Sequence, residues 1–354
     1  MDRKIIAAAV SLAVLSAAGF VALHSTPAKR SVASERAFAD PATCVRCHAE
    51  AAAGYAGSGM AHAFYAAHGT GIVAKDAGSN SFYHAASDTY YSMVAHDDDT
   101  FQRRWQKGFG GAANNVEELK VDYVMGSGNH ARTYLHREAD GTLIELPVGW
   151  YAENGGHLGM SPGYDTADPA THQVIAYECM FCHNAYPEIP AQGHGDPARA
   201  VYRGAMPEGI DCQRCHGPGQ RHVDEARRAG APVQTIRATI LNPARLAPER
   251  QMEVCEQCHL ETTSRNLPDR IRRFDREPFG YAAGGALEEF NAYFDREAAN
   301  GGNDHFEIVS APYRLRQSKC FLASRGALTC ETCHNPHTPC NAERPPRPTT
   351  PASA

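Results

Sequence analysis

Large aromatic side chains are scarce in this sequence. Two Trp, within an aromatic share of 8%, serve a chain of 354 residues that is 43% hydrophobic. That length and hydrophobic share exclude a disordered chain and suffice for one large or two ordinary domains, so part of the interior bulk is expected to come from something other than Phe and Trp. An excess of positive charge is also missing, with 34 Lys and Arg against 40 Asp and Glu and a net charge of -6. Phosphate recognition needs a concentrated positive field, so no nucleic-acid partner is expected. Beyond residue 23 there is no further apolar run of membrane-spanning length.

Cysteine, by contrast, is abundant. Twelve are too many for an ordinary cytosolic enzyme and too few for a disulfide-dense miniprotein of this length, so their spacing decides. Five times the chain reads Cys-x-x-Cys-His, at Cys44/Cys47/His48, Cys179/Cys182/His183, Cys212/Cys215/His216, Cys255/Cys258/His259 and Cys330/Cys333/His334. Random placement of the same residues would give about 0.02 such pentapeptides in the whole chain. Two thiols three residues apart reach the two vinyl groups of a haem, and the adjacent imidazole binds the iron from one face. A zinc ribbon gives no reason for a His after every pair, and five pairs leave one over. A thioredoxin-type site would occur once, and a disulfide framework would not repeat one pentapeptide. The expected cofactors are therefore five covalently bound haem c groups, with the five motif histidines as proximal ligands. Five such flat apolar bodies would also supply the bulk that the aromatic residues do not.

Arg3 and Lys4 precede an uncharged apolar run from Ile5 to Leu23, which reads as an export signal. At 19 residues it is also just long enough to act as a membrane tether, and a small-x-small site at Ala37-Phe38-Ala39 offers a cleavage point. Covalent haem is attached outside the cytoplasm, so the expected location is periplasmic, either soluble or anchored through residues 5–23. Loss of residues 1–39 and addition of five ferric haems with ionised propionates would bring the net charge to roughly -14. Such a field would steer a redox partner with a basic docking face, whereas an anionic substrate would need a local positive funnel.

Twelve histidines remain outside the motifs and the export segment, enough for a second imidazole on every iron. His222, after the turn Gly217-Pro218-Gly219, and His337, after Pro336, are expected to serve neighbouring haems rather than their own. His130 lies in a Gly-flanked loop between strand-like runs, a common place for a ligand. For the first motif either Met60 or His62 caps the iron, and Met would raise the potential relative to His. His68, His157, His172, His194 and His305 are reserves. Cys320 and Cys340 belong to no motif; they read as a disulfide closing the loop around the fifth haem, or as a free thiol beside it.

The expected fold is a mainly α and irregular multihaem cytochrome with a small antiparallel β module between the first and second motifs. Residues 1–39 are the export segment, 40–78 the first haem segment, 79–168 the β-rich module, 169–341 the four-haem segment and 342–354 a Pro-rich disordered tail. Within the module, Ser81–His84, Thr89–Val94 and Thr100–Trp105 read as strands, and Thr133–His136 with Thr142–Leu146 as a hairpin turning at Asp140-Gly141. A helix over Pro243–Val254, with Pro248 near its start, is expected to lead into the fourth motif.

Several of these segments resemble one family in combination. They are Ser58-Gly-Met60 after the first motif, Val121–Gly128, Leu146–Tyr151 with Met160–Tyr164, Gly209–Pro218 and Leu328–His337, spanning about residues 42 to 338. The chain is similar to the exported multihaem cytochromes c related to the tetrahaem cytochrome of ammonia oxidisers. The resemblance implies periplasmic electron transfer through closely packed haem pairs with mostly bis-histidine irons. Two departures stand out: five motifs instead of four, and Met60 where relatives often carry a His. The expected function is relay of single electrons between redox partners. The alternative is a multihaem oxidoreductase acting on a nitrogen or sulfur oxyanion at an iron with an open position. That all five motifs end in His, and none in Lys, weighs against a pentahaem nitrite reductase.

Overall fold

Cross-strand aromatic pairs organise the first sheet. In the computed structural model, which describes residues 37–68, 71, 73, 75, 81–165, 172–191, 196, 199–260, 270–294 and 310–338, two short helices come first, α1 (Pro41–Cys47) and α2 (Ala49–Ala56). The export run, the Pro-rich tail, His194, His305 and Cys340, and with it the Cys320–Cys340 disulfide, lie outside the described residues. After strand β1 (Phe64–Ala66) comes a four-stranded antiparallel sheet of β2 (Phe82–His84), β3 (Thr89–His96), β4 (Asp99–Lys107) and β5 (Ala113–Lys120), in that order. Tyr83 pairs directly with Tyr90 and Tyr90 with Trp105, at ring-centre distances of 4.6 and 5.6 Å, and such facing aromatics are a main source of antiparallel pairing strength. Asp97 makes the β3–β4 turn in the left-handed region, which Asp tolerates better than most residues.

The second sheet is seven-stranded. Its main path runs β1, β6 (Tyr123–Met125), β7 (Ala131–Arg137), β8 (Leu143–Glu145) and β11 (Gln173–Val174), while β9 (Val148–Tyr151) pairs with both β7 and β10 (His157–Met160). The β7–β8 turn closes at Asp140-Gly141, where Gly141 has φ +94° and a Cβ would overlap the carbonyl oxygen of Tyr202. Gln102 ties the two sheets together: its side-chain amide donates to Val148 O at 2.9 Å and accepts from Val148 N at 3.1 Å.

The remaining elements are mostly short helices: α3 (Tyr177–His183), α4 (Gln213–His216), α5 (Gln220–Arg227), α6 (Val233–Arg237), α7 (Pro248–His259), a hairpin of β12 (Arg270–Arg272) and β13 (Asn291–Tyr293), then α8 (Ala311–Gln317) and α9 (Lys319–Ser324). Pro248 opens α7 at its first turn, where a missing N–H costs nothing, while Pro243 starts a separate 3₁₀ turn. The main core joins the seven-stranded sheet to α3 and the 279–290 segment, through Phe64, Leu135, Leu143, Met180, Phe181 and Phe290. A smaller cluster around Val124, Tyr134 and Leu146 lies at the back of the module.

The antiparallel module is therefore present, and the described residues form a mixed α and β structure rather than a mainly helical one, with about 33% of them in helix and 25% in strand. The sheet also reaches beyond residues 79–168, because β1 and β11 join it at either side. Strands of three and two residues are too short to carry a readable alternation, so no pattern marked them in advance.

Every residue of β8 is buried, including Glu145 at 9% exposure. Burial pushes its carboxyl up to about 7. A carboxyl raised in the folded state stabilises the fold below its unfolded value near 4.5 and loses that contribution as pH rises through about 7. Glu145→Gln is accordingly expected to match the wild type in stability near pH 4.5 and to exceed it by about 2–3 kcal/mol above pH 7, measured by chemical denaturation at both pH values.

Candidate functional site

Each motif occupies one helical turn. In the first, Pro41 and the Asp40 carboxylate, which accepts from Ala42 N at 2.9 Å, start α1, and His48 N closes back onto Cys44 O at 2.9 Å. The same closure recurs at His216 N to Cys212 O and His334 N to Cys330 O, both 2.9 Å. The second motif lies within α3 and the fourth forms the last turns of α7. One turn places cysteines i and i+3 on a common side with the imidazole at i+4 beside them, as bonding a single flat group to both sulfurs and to its metal requires.

The fifth motif departs from this α-helical form. Its turn, Cys330–Thr332, is 3₁₀ and ends at Cys333, whose N–H donates to Cys330 O at 3.1 Å. In a 3₁₀ turn residues i and i+3 eclipse, so Cys333 still lies over Cys330. The two differ in surroundings. Cys330 is half-buried, whereas Cys333, expected as the second attachment point of the fifth haem, is exposed rather than enclosed by protein. The cause is its place at the end of the turn, followed by the exposed run from His334 to Pro336, which packs nothing over it. Cys47 and Cys179 are exposed in the same way.

The turns converge in pairs that are not sequential. After α2, Tyr55 Oη donates to Ile210 O at 2.7 Å, Ile210 N to Met60 O at 3.0 Å and Gly209 N to Phe64 O at 2.7 Å. Gly209, at φ +52°, allows this approach, since a Cβ would overlap Ala61 O. These bonds bring the first motif against the third, where the Cys44 and Cys212 thiols are neighbours. Cys182 of the second motif meets Cys258 of the fourth, and Cys255 of the fourth meets Cys330 of the fifth. All eleven described cysteines are free of disulfides. Burial pushes the Cys44 and Cys215 thiols up to about 11, so they are neutral near pH 7 rather than metal-binding thiolates. Among the described residues no group of three or more His, Cys, Asp or Glu is arranged to hold a bare metal ion.

The imidazoles pair as well. His48 and His222 lie with ring centres 6.2 Å apart and planes 23° from parallel, and His216 and His337 with centres 6.0 Å apart and planes 20° from parallel. Two imidazoles bound to opposite faces of one metal would have ring centres about 6.3 Å apart, from a metal–nitrogen bond of about 2 Å and a centre-to-nitrogen distance of about 1.2 Å. The Nδ1 atoms are committed elsewhere. His216 Nδ1 donates to Leu241 O at 2.8 Å, His222 Nδ1 to Ile236 O at 3.1 Å and His183 Nδ1 to Ala63 O at 3.3 Å. A carbonyl can only accept, so the proton of the neutral form sits on Nδ1 and leaves the Nε2 lone pair for a metal. Burial holds His183 and His337 below the ordinary histidine value, with the neighbouring His216 adding to the effect at His337.

The other candidates stand apart from these pairs. The ring facing His48 is His222, and neither Met60 nor His62 takes that place. Met60 is half-buried in the loop bonded to Ile210, and His62 is exposed with Nε2 on Ala56 O at 2.7 Å. His130 is exposed on the loop between β6 and β7, with no motif imidazole stacked on it among the described residues. His68 pairs with Asp99 at 2.8 Å and His157 lies on Tyr151. Cys320 is exposed on α9. Two residues that the spacing did not single out lie at the centre. Gln213 and Arg214, between the cysteines of the third motif, are 3% and 1% exposed. Gln213 holds the start of the described chain by accepting from Ala39 N and donating to Ala39 O, both at 2.9 Å. The x positions of such a motif have no fixed chemistry, so no signal marked them.

The chain accommodates a covering group at this cluster. α1, α2 and α5 bury none of their side chains, although α2 reads Ala-Glu-Ala-Ala-Ala-Gly-Tyr-Ala. Helices of seven or eight residues are marginal without tertiary contact. The free thiols, the spaced imidazoles and these uncovered helix faces fit haem bound through Cys44, Cys47, Cys212 and Cys215 with His48, His216, His222 and His337.

The fourth motif depends on an ion pair. Glu256 is buried on α7, and Arg316 of α8 grips it with Nε at 2.6 Å and Nη2 at 3.0 Å, while reaching Glu249 at 2.8 Å. Arg316→Met strands a buried carboxylate and is expected to cost about 3–5 kcal/mol at pH 8. The loss should shrink as acid protonates Glu256, whose carboxyl burial already raises; equal losses at pH 8 and pH 5 would contradict this account. No family model matches the chain, and no curated protein or solved structure matches it either.

Proposed function

We propose that the chain is an exported, periplasmic pentahaem cytochrome c that relays single electrons between redox partners, akin to the exported multihaem cytochromes of the tetrahaem type. The observation that carries this reading is the pair of imidazole–imidazole spacings, 6.2 Å at His48–His222 and 6.0 Å at His216–His337, each joining a motif histidine to one from outside that motif. When bound, each haem would supply one iron that cycles between the ferric and ferrous states.

The chain's residues account for the rest. The ten motif cysteines would anchor the haems, and His48, His183, His216, His259 and His334 would bind their irons. His222 and His337 would complete the ligand sets of the first and third haems and exclude exogenous ligands there. The carbonyls of Leu241, Ile236 and Ala63 fix the tautomer and orientation of His216, His222 and His183, which makes the rings better donors and limits their movement when charge changes. The contacts Cys44–Cys212, Cys182–Cys258 and Cys255–Cys330 link all five motifs in one cluster when joined with His216–His337. With roughly -14 of net charge after export and cofactor attachment, the preferred partner presents a basic face. No helix among the described residues is long and apolar enough to cross a membrane. A tether through residues 5–23 would lie outside them.

The mass of the mature protein is expected to equal the polypeptide plus five haems, and any other number contradicts the reading. His222→Ala and His337→Ala should each convert one low-spin ferric signal to high-spin in EPR while the mass stays at five haems. Unchanged spectra would remove the assigned ligand pairs. A stoichiometric high-spin signal in the wild type that shifts with nitrite or hydroxylamine would favour the oxidoreductase alternative.

A further inference from the structure

The centre of the cluster holds a cation that the ligand assignment leaves unused. Arg214 of the third motif is 1% exposed. Its Nη2 donates to Phe181 O at 2.6 Å, and its guanidinium lies 4.2 Å from the ring centre of Phe181 and 5.0 Å from that of Tyr186. Nε and Nη1 are buried without an oxygen or nitrogen partner. The thiols of Cys182 and Cys258 are among its electrostatic neighbours. A second guanidinium, Arg270 of β12, reaches the same place, with Nη1 3.1 Å from Cys182 Sγ and the charge 5.5 Å from the Phe181 ring centre.

The first and third motifs meet the opposite charge. Asp211 lies beside Cys44 and Cys212, where it accepts from Gln213 N at 3.0 Å and Gln213 Nε2 at 3.1 Å. It offsets part of the Arg214 charge, but it lies one residue before the third motif. The charges are therefore unevenly placed: Arg214 and Arg270 converge on Cys182 and Cys258, where Glu256 of the fourth motif is already paired with Arg316 and Glu178 with Arg272, Asp211 lies beside Cys44 and Cys212, and Cys215 of the third motif meets both Arg214 and Asp211.

Once Cys182 and Cys258 are thioethers they cannot ionise, and they offer the guanidinium groups no counter-charge. A buried charge in a low-dielectric interior acts on its neighbours with little screening. A nearby cation favours the reduced iron, which carries one positive charge fewer, and a carboxylate favours the oxidised one.

We infer that Arg214, supported by Arg270, raises the midpoint potentials of the second and fourth haems above that of the first, which has the Asp211 carboxylate beside it, so that electrons entering the cluster collect away from the first. The step is one electron exchanged between two irons, one oxidised as the other is reduced, with no bond made or broken; a donor protein supplies the electron and an acceptor protein removes it. Arg214 acts here as a positioning charge, and the inference rests on the pentahaem reading.

The test is a redox titration of the holoprotein, followed optically and by EPR, for the wild type, Arg214→Gln, Arg214→Lys and Arg270→Gln. In Arg214→Gln the two midpoints that Arg270→Gln also lowers are expected to move negative, while at least two of the five stay in place. Arg214→Lys, which keeps the charge, should move them by less than half as much. Arg270→Gln should lower the same two, and it carries the test if Arg214→Gln fails to fold. Five unmoved midpoints in a variant with five haems by mass, or an equal shift in the Gln and Lys variants, would overturn the inference and leave the pentahaem reading intact. A wild-type mass without five haems would overturn that reading, and the inference with it.

Discussion

A helix of seven or eight residues with nothing packed on its apolar face has little reason to persist in water. α1 and α2, which carry and follow the first motif, bury no side chain fully, and their described tethers are few: the Asp40 cap, the Tyr55–Ile210 bond, the Gln213–Ala39 pair and the close approach of the His337 carbonyl to Gly54. The proposed haems, lying against those faces, would resolve the difficulty. The shortage of aromatic residues is thus regional. Phe64, Tyr91, Tyr134, Tyr177 and Tyr202 are buried in or against the sheets, which close a core of their own, while α1, α2, α5 and α6 bury no side chain at all.

The β half serves the motif half as a platform. α3 carries the second motif and packs Tyr177, Met180 and Phe181 into the main core, so that turn is fixed by ordinary apolar burial. The others take their positions from it. Phe181 receives Arg214 of the third motif, Cys182 meets Cys258 of the fourth, and Gln257 of the fourth donates to Arg214 O at 3.2 Å. Interleaving of first with third and second with fourth follows, because the 57–64 loop is bonded to residues 209–210, just ahead of the third motif, rather than to the segment next in sequence.

The five pentapeptides, the aromatic strands and the Asp140-Gly141 hairpin were legible in the sequence, because each is a local pattern with a fixed spacing. The Gly217-Pro218-Gly219 turn likewise indicated that His222 would leave its own motif, though not that it would arrive opposite His48. Partner identity was not legible. Which imidazole faces which depends on loop-to-loop bonds across more than a hundred residues, and neither Gly209 nor Tyr55 announces its partner. Nor does one pentapeptide reveal its surroundings: Cys330 and Cys333 are equivalent by spacing, yet the first packs on Cys255 and the second is left exposed at the end of a 3₁₀ turn. The share of strand was read too low for a related reason: β1 and β11 are recruited by neighbours and have no period of their own. Met60 and His62 attracted attention by proximity in sequence, yet the loop that bears them is used to clamp the chain.

Rigidity at the imidazoles is where the fold and the proposed relay meet. His216 is locked twice by residue 241, whose carbonyl accepts from its Nδ1 and whose amide donates to the His216 carbonyl at 3.2 Å. His222 is held by Ile236 at the end of α6, with Thr239 Oγ1 3.3 Å from the same nitrogen. Neither ring can rotate without breaking a bond in a partly buried setting, where an unpaired polar group is costly. A ring so fixed presents the same donor atom before and after a change of charge at its metal. Little of the driving force is then lost to rearrangement, which is the property that separates a relay from a site built to bind and release substrate.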